Sequence, residues 1–470
     1  MAASAVERGA ADAARLSNSE TVVAEYNREH HLHPWASMDR WREDEYPIAA
    51  RGEGVYVYDS TGKRYLDGPG GMWCVTIGYG RQEMADAIAE QVMRLPYTSP
   101  WSTTTEPAAI LAKKLADLAP GDLNTVFFTT GGSTAVDTAL RTVHFYNNRL
   151  GRPDKKIVIA RERGYHGSTY LAATVTGKER VRTCFDKEDR LVHFLPDVNP
   201  FIRPDGMSLE AWCDEKVADL EKAILELGPD NVGAFIAEPI LCSGGVVVPP
   251  EGYHRRTLEV CRKYDVLYIS DEVVTGFGRL GHWFASKDVF DIEPDMITCA
   301  KGLTSGYVPL GACLISDRVM EKITGPEHDT MFYNGYTYSG HPVSCVAALK
   351  NIEIMEREGV LEHVREITPY FQARLADLEK YPIVGDARGM GLLGCVEGLT
   401  ASRDDTPMAV QRALGARLDE ICTENGLIVR PMINMCVFSP PLVISKAEVD
   451  ELFDILEAAI RQVGREMGVE

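Results

Sequence analysis

MITCAKGLTSGYVPLGA, residues 296–312, sets a short apolar run directly against a lysine, Lys301. The flanking residues are small or apolar: Cys299 and Ala300 before it, Gly302 and Leu303 after it. Lysine is rarely buried without a partner, so an amine at the end of what reads as a core strand needs a reason. TVFF (125–128), KIVIA (156–160), VGAFIA (232–237), VLYIS (266–270) and LGACLI (310–315) have the same character as MITC (296–299). Several are continuously apolar, as strands covered on both faces are. Helical patterns alternate with them. From Ala135 to Leu150, residues Val136, Ala139, Leu140, Val143 and Tyr146 mark one face, and Gly151 with Pro153 ends the run. Such alternation predicts an α/β fold with a mostly parallel sheet between helices.

The two ends read differently. RGEGVYVYDSTGKRYLD (51–67) predicts a hairpin around a Ser-Thr-Gly turn, and the chain from about 345 carries long helical patterns, including Glu448 to Gly464. Between those helices lies a short β region near Ile428 to Ile444. A smaller α+β domain built from both termini is therefore expected, from residues 1–75 and 336–470, around a large domain at 76–335. Residues 1–19 are expected to be a loose tail.

Bulk properties narrow the function. The 470 residues carry a net charge of −20, which opposes nucleic-acid or anionic-membrane binding. Eleven cysteines are scattered singly with no C-x-x-C pair, which supports neither a zinc site nor a redox motif and fits a reducing cytoplasm. The opening residues lack the apolar core of a signal peptide, and no run approaches the ~20 apolar residues of a membrane span. A cytoplasmic protein with no metal, no membrane and no nucleic-acid partner is expected.

In open parallel sheets, ligands bind beyond the carboxyl ends of the strands. After VFF comes TTGGST, where Gly131, Gly132 and Ser133 open a helix and suit a phosphate, although a plain N-cap uses the same residues. After KIVIA comes RERGYHGST, in which Tyr165 or His166 could stack on a planar ligand or simply pack beneath a loop. Glu238 follows VGAFIA, Asp271 and Glu272 follow VLYIS, and Lys301 follows MITC. Singly, each acid reads as a cap or a surface charge; together at one sheet edge they read as a site. Gly276–Gly281 fits G-x-G-x-x-G, with Asp295 at nearly the distance of a ribose-binding acid. That fingerprint should open a long helix, and HWFASKDVFDIEPD does not read as one, so the glycines are expected to shape a tight loop.

A lysine amine, a carboxylate on the neighbouring strand, an aromatic ring and a phosphate cradle together suit pyridoxal 5′-phosphate. The amine forms a Schiff base with the aldehyde, and the carboxylate keeps the pyridine nitrogen protonated. Desolvation lowers a lysine pKa and makes the free amine a usable nucleophile and base.

YISDEVVTGFGRLGHWFA and PDMITCAKGLTSGYVPLGA resemble the class III (omega) aminotransferases of pyridoxal phosphate fold type I. The likeness runs from HHLHPWASM through DGPGGMWCVTIGYGR to GLIVRPMINMCVFSPPLV, and it lies nearest the amine–pyruvate and β-alanine–pyruvate branch. It implies a seven-stranded sheet in the large domain. It also implies ping-pong transfer of an amino group from a primary amine or ω-amino acid to pyruvate or a similar keto acid, with pyridoxamine 5′-phosphate as the intermediate cofactor form. By resemblance, Lys301 is the Schiff-base lysine and proton shuttle, Asp271 pairs with the pyridine nitrogen, Val273 lies behind the ring and Tyr165 stacks on it. Gly132 and Ser133 form the phosphate loop, Thr337 reaches the phosphate from a partner subunit, and Glu238 is a pocket glutamate. Trp35, Trp73 and Trp101 line the substrate pocket, partly from the partner, and Arg430 swings toward a substrate carboxylate. The resemblance thus implies a homodimer, with a tetramer left open. The family often has Ser-Gly-Ser-Glu where this chain has Gly131-Gly132-Ser133-Thr134, so its phosphate would lean more on backbone N–H groups. An aminomutase or decarboxylase of the same fold, a non-catalytic cofactor-retaining protein and a nicotinamide dehydrogenase are the alternatives.

Overall fold

VGAFIA is buried at all six positions because its neighbours cover both of its faces. Ala234 and Ile236 pack with Val136, Ala139, Leu140 and Val143 of the helix Gly132–Arg149. Phe235 and Ala237 pack with Leu220, Ala223 and Ile224 of the helix Leu209–Leu227, on the opposite face. Each fully buried large apolar side chain of this kind contributes about 1.5–3 kcal/mol. In the computed structural model, residues 20–43, 45–325, 330–399 and 407–469 are described; the expected loose tail, 1–19, lies outside them.

Three strands come first: β1 Ala49–Glu53, β2 Tyr56–Asp59 and β3 Arg64–Asp67. Seven follow: β4 Thr125–Thr129, β5 Ile157–Arg161, β6 Val192–Leu195, β7 Val232–Ala237, β8 Leu267–Asp271, β9 Met296–Cys299 and β10 Gly311–Ile315. The last five are β11 Val384–Met390, β12 Leu393–Gly398, β13 Leu427–Ile428, β14 Arg430–Met432 and β15 Met435–Phe438. The middle seven form one sheet in the order β4-β10-β9-β8-β7-β5-β6. β10 runs antiparallel to both β4 and β9, and the other pairings are parallel. Six strands therefore point their carboxyl ends to one edge. The expected hairpin at 51–67 is a three-stranded meander that begins two residues earlier, and its turn is held by the Asp59 carboxylate, which accepts from the Thr61 and Lys63 N–H groups. β13 adds to β3 in parallel, Leu427 opposite Leu66, so the two ends of the chain share a layer. A separate sheet, β11-β12-β15-β14, carries Arg430 opposite Val437. Among the described residues, no helix is long and apolar enough to cross a membrane.

The glycine-rich segment is a tight turn, as its sequence implies. Phe277 N–H donates to Trp283 O at 2.7 Å and Gly278 N–H to His282 O at 2.9 Å. The helix that follows spans only Ala285–Asp288. Asp295 is buried, with one oxygen accepting from Tyr268 N–H at 2.7 Å and from Arg262 Nη1 at 2.6 Å, and the other from Arg318. These bonds stitch the start of β8 to the helices behind it. Asp295→Ala is therefore expected to lower stability by about 3 kcal/mol in denaturant titration. The visible absorption of the cofactor-loaded enzyme should not change; loss of that absorption would mean that Asp295 serves a cofactor.

Candidate active site

The carboxyl edge of the sheet gathers the residues that the sequence placed after the strands. Asp271, the last residue of β8, is 4% exposed. Its Oδ1 accepts from Thr298 Oγ1 at 3.1 Å and from Val273 N–H at 3.2 Å. Its Oδ2 lies 2.6 Å from His166 Nδ1, and because a carboxylate accepts, that ring nitrogen carries the hydrogen. A carboxylate offers about four acceptor directions, so one is left for a ligand. Glu238, just past β7, is also buried and takes Tyr165 N–H on Oε1 at 2.9 Å. Burial raises its pKa above the usual carboxylate range.

Lys301 opens a single 3₁₀ turn directly beyond β9, with φ at 43°. A non-glycine residue in that region costs of order 1–3 kcal/mol and persists where the surroundings enforce it, often at functional sites. Burial lowers the amine's pKa from the usual lysine range, while the Asp271 and Glu238 carboxylates pull it the other way. Lys301 Nζ lies 5.9 Å from the centre of the Trp73 ring, and the Arg430 guanidinium carbon lies 5.4 Å from it. The buried indole thus stands beside both cations.

The helix expected from Ala135 begins at Gly132, which puts Gly132 and Ser133 in its first turn. Among the described residues no side chain caps that end; Thr134 Oγ1 instead turns back to Gly131 O at 2.9 Å. Its leading N–H groups are therefore open to an anion. Ser133 Oγ accepts from Ser168 N–H at 3.1 Å, which ties this turn to the Tyr165–Ser168 loop. Gly132 is required by close approach: a Cβ there would lie 2.9 Å from Val273 Cγ1. Tyr165 is half-buried, with Lys178 Nζ 5.7 Å from its ring centre.

Lys301, Asp271, Val273, Glu238, Tyr165, Gly132 and Ser133 therefore meet at one edge, with Trp73 beside Lys301 and Arg430 beside Trp73. Trp35, Trp101 and Thr337 do not join them within the single chain. Trp35 and Trp101 are 60% and 77% exposed, and Thr337 is exposed in the loop before the helix Pro342–Arg357. Two contributors went unassigned in the sequence. His166 was readable only as a ring beside Tyr165, and Thr298 hides in the apolar run MITC, where its place opposite Asp271 depends on strand register.

These residues fit pyridoxal phosphate. An amine of lowered basicity can take an aldehyde, a buried carboxylate with one free direction can take a pyridinium N–H, and an uncapped helix N-terminus can take a phosphate.

The family Aminotransferase class-III matches residues 37–460. The chain belongs to the class III aminotransferases. The putrescine–pyruvate aminotransferase of Pseudomonas aeruginosa is 40% identical over 445 residues, covering 93% of this chain and 95% of that protein. The (S)-enantioselective omega-transaminase of Thermomicrobium roseum superposes with a TM-score of 0.90 at 37% identity, covering 94% of this chain and 98% of the other. The omega-transaminase of Pseudomonas jessenii, solved in complex with PMP, gives 0.92 at 35% identity, covering 95% and 99%. As a class III aminotransferase, this protein is a pyridoxal-phosphate-dependent transaminase acting on small molecules. The nicotinamide dehydrogenase alternative is thereby set aside.

Proposed function

We propose that this aminotransferase moves an amino group from a primary amine or ω-amino acid to pyruvate or a similar keto acid, in two half-reactions at one site. The observation that carries this reading is the line Lys301–Trp73–Arg430. A keto acid brings a carboxylate that needs a cation, whereas a simple amine brings an apolar group that needs a wall. Arg430 serves the first and the Trp73 indole the second, the indole standing next to the lysine that does the chemistry and to the guanidinium. The putrescine–pyruvate relative pairs a donor without a carboxylate with an acceptor that has one, which suits such a site.

Bound pyridoxal phosphate supplies an aldehyde for the amine and a conjugated ring that delocalises electrons when a C–H bond breaks. The chain does the rest. Asp271, set by His166 and Thr298, holds the proton on the pyridine nitrogen. Tyr165 and Val273 would hold the ring, with Glu238 fixing the Tyr165 backbone. Gly132 and Ser133 hold the phosphate at the helix N-terminus, and Lys301 Nζ moves the proton on the carbon that bears the amine. The reading also takes the site to be shared between two copies of the chain. Tyr97 OH donates to Thr337 O at 2.8 Å, and the Tyr97 and Tyr338 rings meet edge to face at 5.8 Å. Tyr97, Thr337 and Tyr338 thus belong to one exposed surface, of the kind that marks an interface, and Trp101 is likewise exposed. Eleven free cysteines fit a reducing compartment, and we place the enzyme in the cytoplasm.

Arg430→Ala tests the division of labour. Loss of a charge-assisted contact is expected to raise KM for pyruvate by about 10–100-fold. KM for a monoamine without a carboxylate should stay within about threefold. Equal rises for both substrates would remove Arg430 from carboxylate binding.

A further inference from the structure

Trp73 is reached through backbone that few residues accept. φ is 59° at Gly70, 65° at Gly71 and 63° at Trp73 itself. Strain of this kind, of order 1–3 kcal/mol for a non-glycine residue, persists only when the surroundings over-determine it. Two buried charges grip the segment from either side. Asp67 is 2% exposed, and its Oδ2 accepts from Gly71 N–H at 2.6 Å and from Tyr79 OH at 2.5 Å. Arg279, also 2% exposed, donates through Nη2 to Val75 O at 3.3 Å, two residues past Trp73. Its Nη1 donates to Leu392 O at 3.4 Å and to Pro440 O. Leu392 immediately precedes β12 and Pro440 lies just beyond β15, in the sheet that carries Arg430. Ser439 completes the seam, donating from Oγ to Pro69 O at 2.6 Å and from N–H to Gly68 O at 2.8 Å. Burial pushes the Arg279 pKa down to about 10 and raises that of Asp67.

We propose that Asp67 and Arg279 are positioning residues for the substrate site: they clamp both ends of the Trp73 segment and seat the Arg430 sheet against it. The indole then keeps its place beside Lys301, and the guanidinium its place beside the indole. This rests on the reading of Trp73 and Arg430 as the substrate walls. Arginine is needed at 279 because one planar fork reaches carbonyls of three separate segments, which a lysine amine does not do. Gly71 N–H and Tyr79 OH both reach Asp67 Oδ2, so an amide oxygen at the same place can hold these two donors.

Steady-state kinetics of the holoenzyme, varying pyruvate and then an amine, tests the clamp. Asp67→Ala and Arg279→Lys are expected to raise both KM values by about tenfold or more, with kcat and the resting visible band changed less than about threefold. Asp67→Asn is expected to restore KM to within about threefold of the parent. Tyr79→Phe removes the hydroxyl donor to Asp67 and should give an intermediate rise; it carries the test if Asp67→Ala does not fold. If the variants only melt at lower temperature and keep the parent KM values, the proposal is overturned. Trp73→Phe separates the two levels of the argument. If it moves KM and the clamp variants do not, the clamp is wrong and the pocket stands. If Trp73→Phe itself leaves both KM values in place, the substrate-wall reading fails and the clamp falls with it.

Discussion

Lys301→Ala is expected to abolish transamination, with turnover reduced by about 10⁴-fold or more. The size follows from two losses at one atom. On the proposed reading, the amine would be the covalent partner of the cofactor aldehyde and also the base placed to move the proton on the substrate carbon. Burial lowers its pKa and favours the neutral form that performs both tasks. No neighbouring group replaces it: the nearest carboxylates, Asp271 and Glu238, are buried and committed to His166, Thr298 and the Tyr165 N–H. The check is a single-turnover assay with amine and cofactor-loaded variant. Retained turnover would make Lys301 a structural lysine.

Asp271→Asn carries the second large effect, a fall in kcat of about 10²–10³-fold, the range seen when a preorganised electrostatic partner of the transition state is removed. The substitution keeps the shape of the side chain and its bonds to Thr298 and Val273 N–H, but it removes the charge that, on the proposed reading, would hold a proton on the pyridine nitrogen. His166 Nδ1–H then faces an amide in place of a carboxylate. Because Lys301 is untouched, the variant should still form the visible band with pyridoxal phosphate while converting amine slowly. A variant with parental kcat would show that the charge at Asp271 serves only the fold.

The strands were legible because their environment is uniform. VGAFIA and MITC match β7 and β9 residue for residue, since both are covered on each face; Asn231 and Glu238 bound the first, and Asp295 precedes the second. β6, Val192–Leu195, was not read, because an edge strand is only half covered and His193 interrupts its apolar run. The helix expected from Ala135 starts three residues earlier, at Gly132, because glycine and serine give weak helical signals even where the fold uses their N–H groups. In the site, Lys301, Asp271 and Glu238 were visible as polar residues that end apolar strands. The bonds from His166 and Thr298 to Asp271 were not, because they depend on how a loop folds back and on which strands are neighbours. The clamp was beyond reach for the same reason: Asp67, Val75, Arg279, Leu392 and Pro440 meet only after both ends of the chain close on the middle.

Absorption spectroscopy of the purified protein loaded with pyridoxal phosphate, first alone, then with a primary amine and then with pyruvate, tests the central claim most directly. The account predicts a visible band that bleaches with the amine and returns with pyruvate, since one lysine and one site serve both half-reactions. A protein that stays colourless after cofactor is supplied, or a band that neither substrate changes, would contradict it.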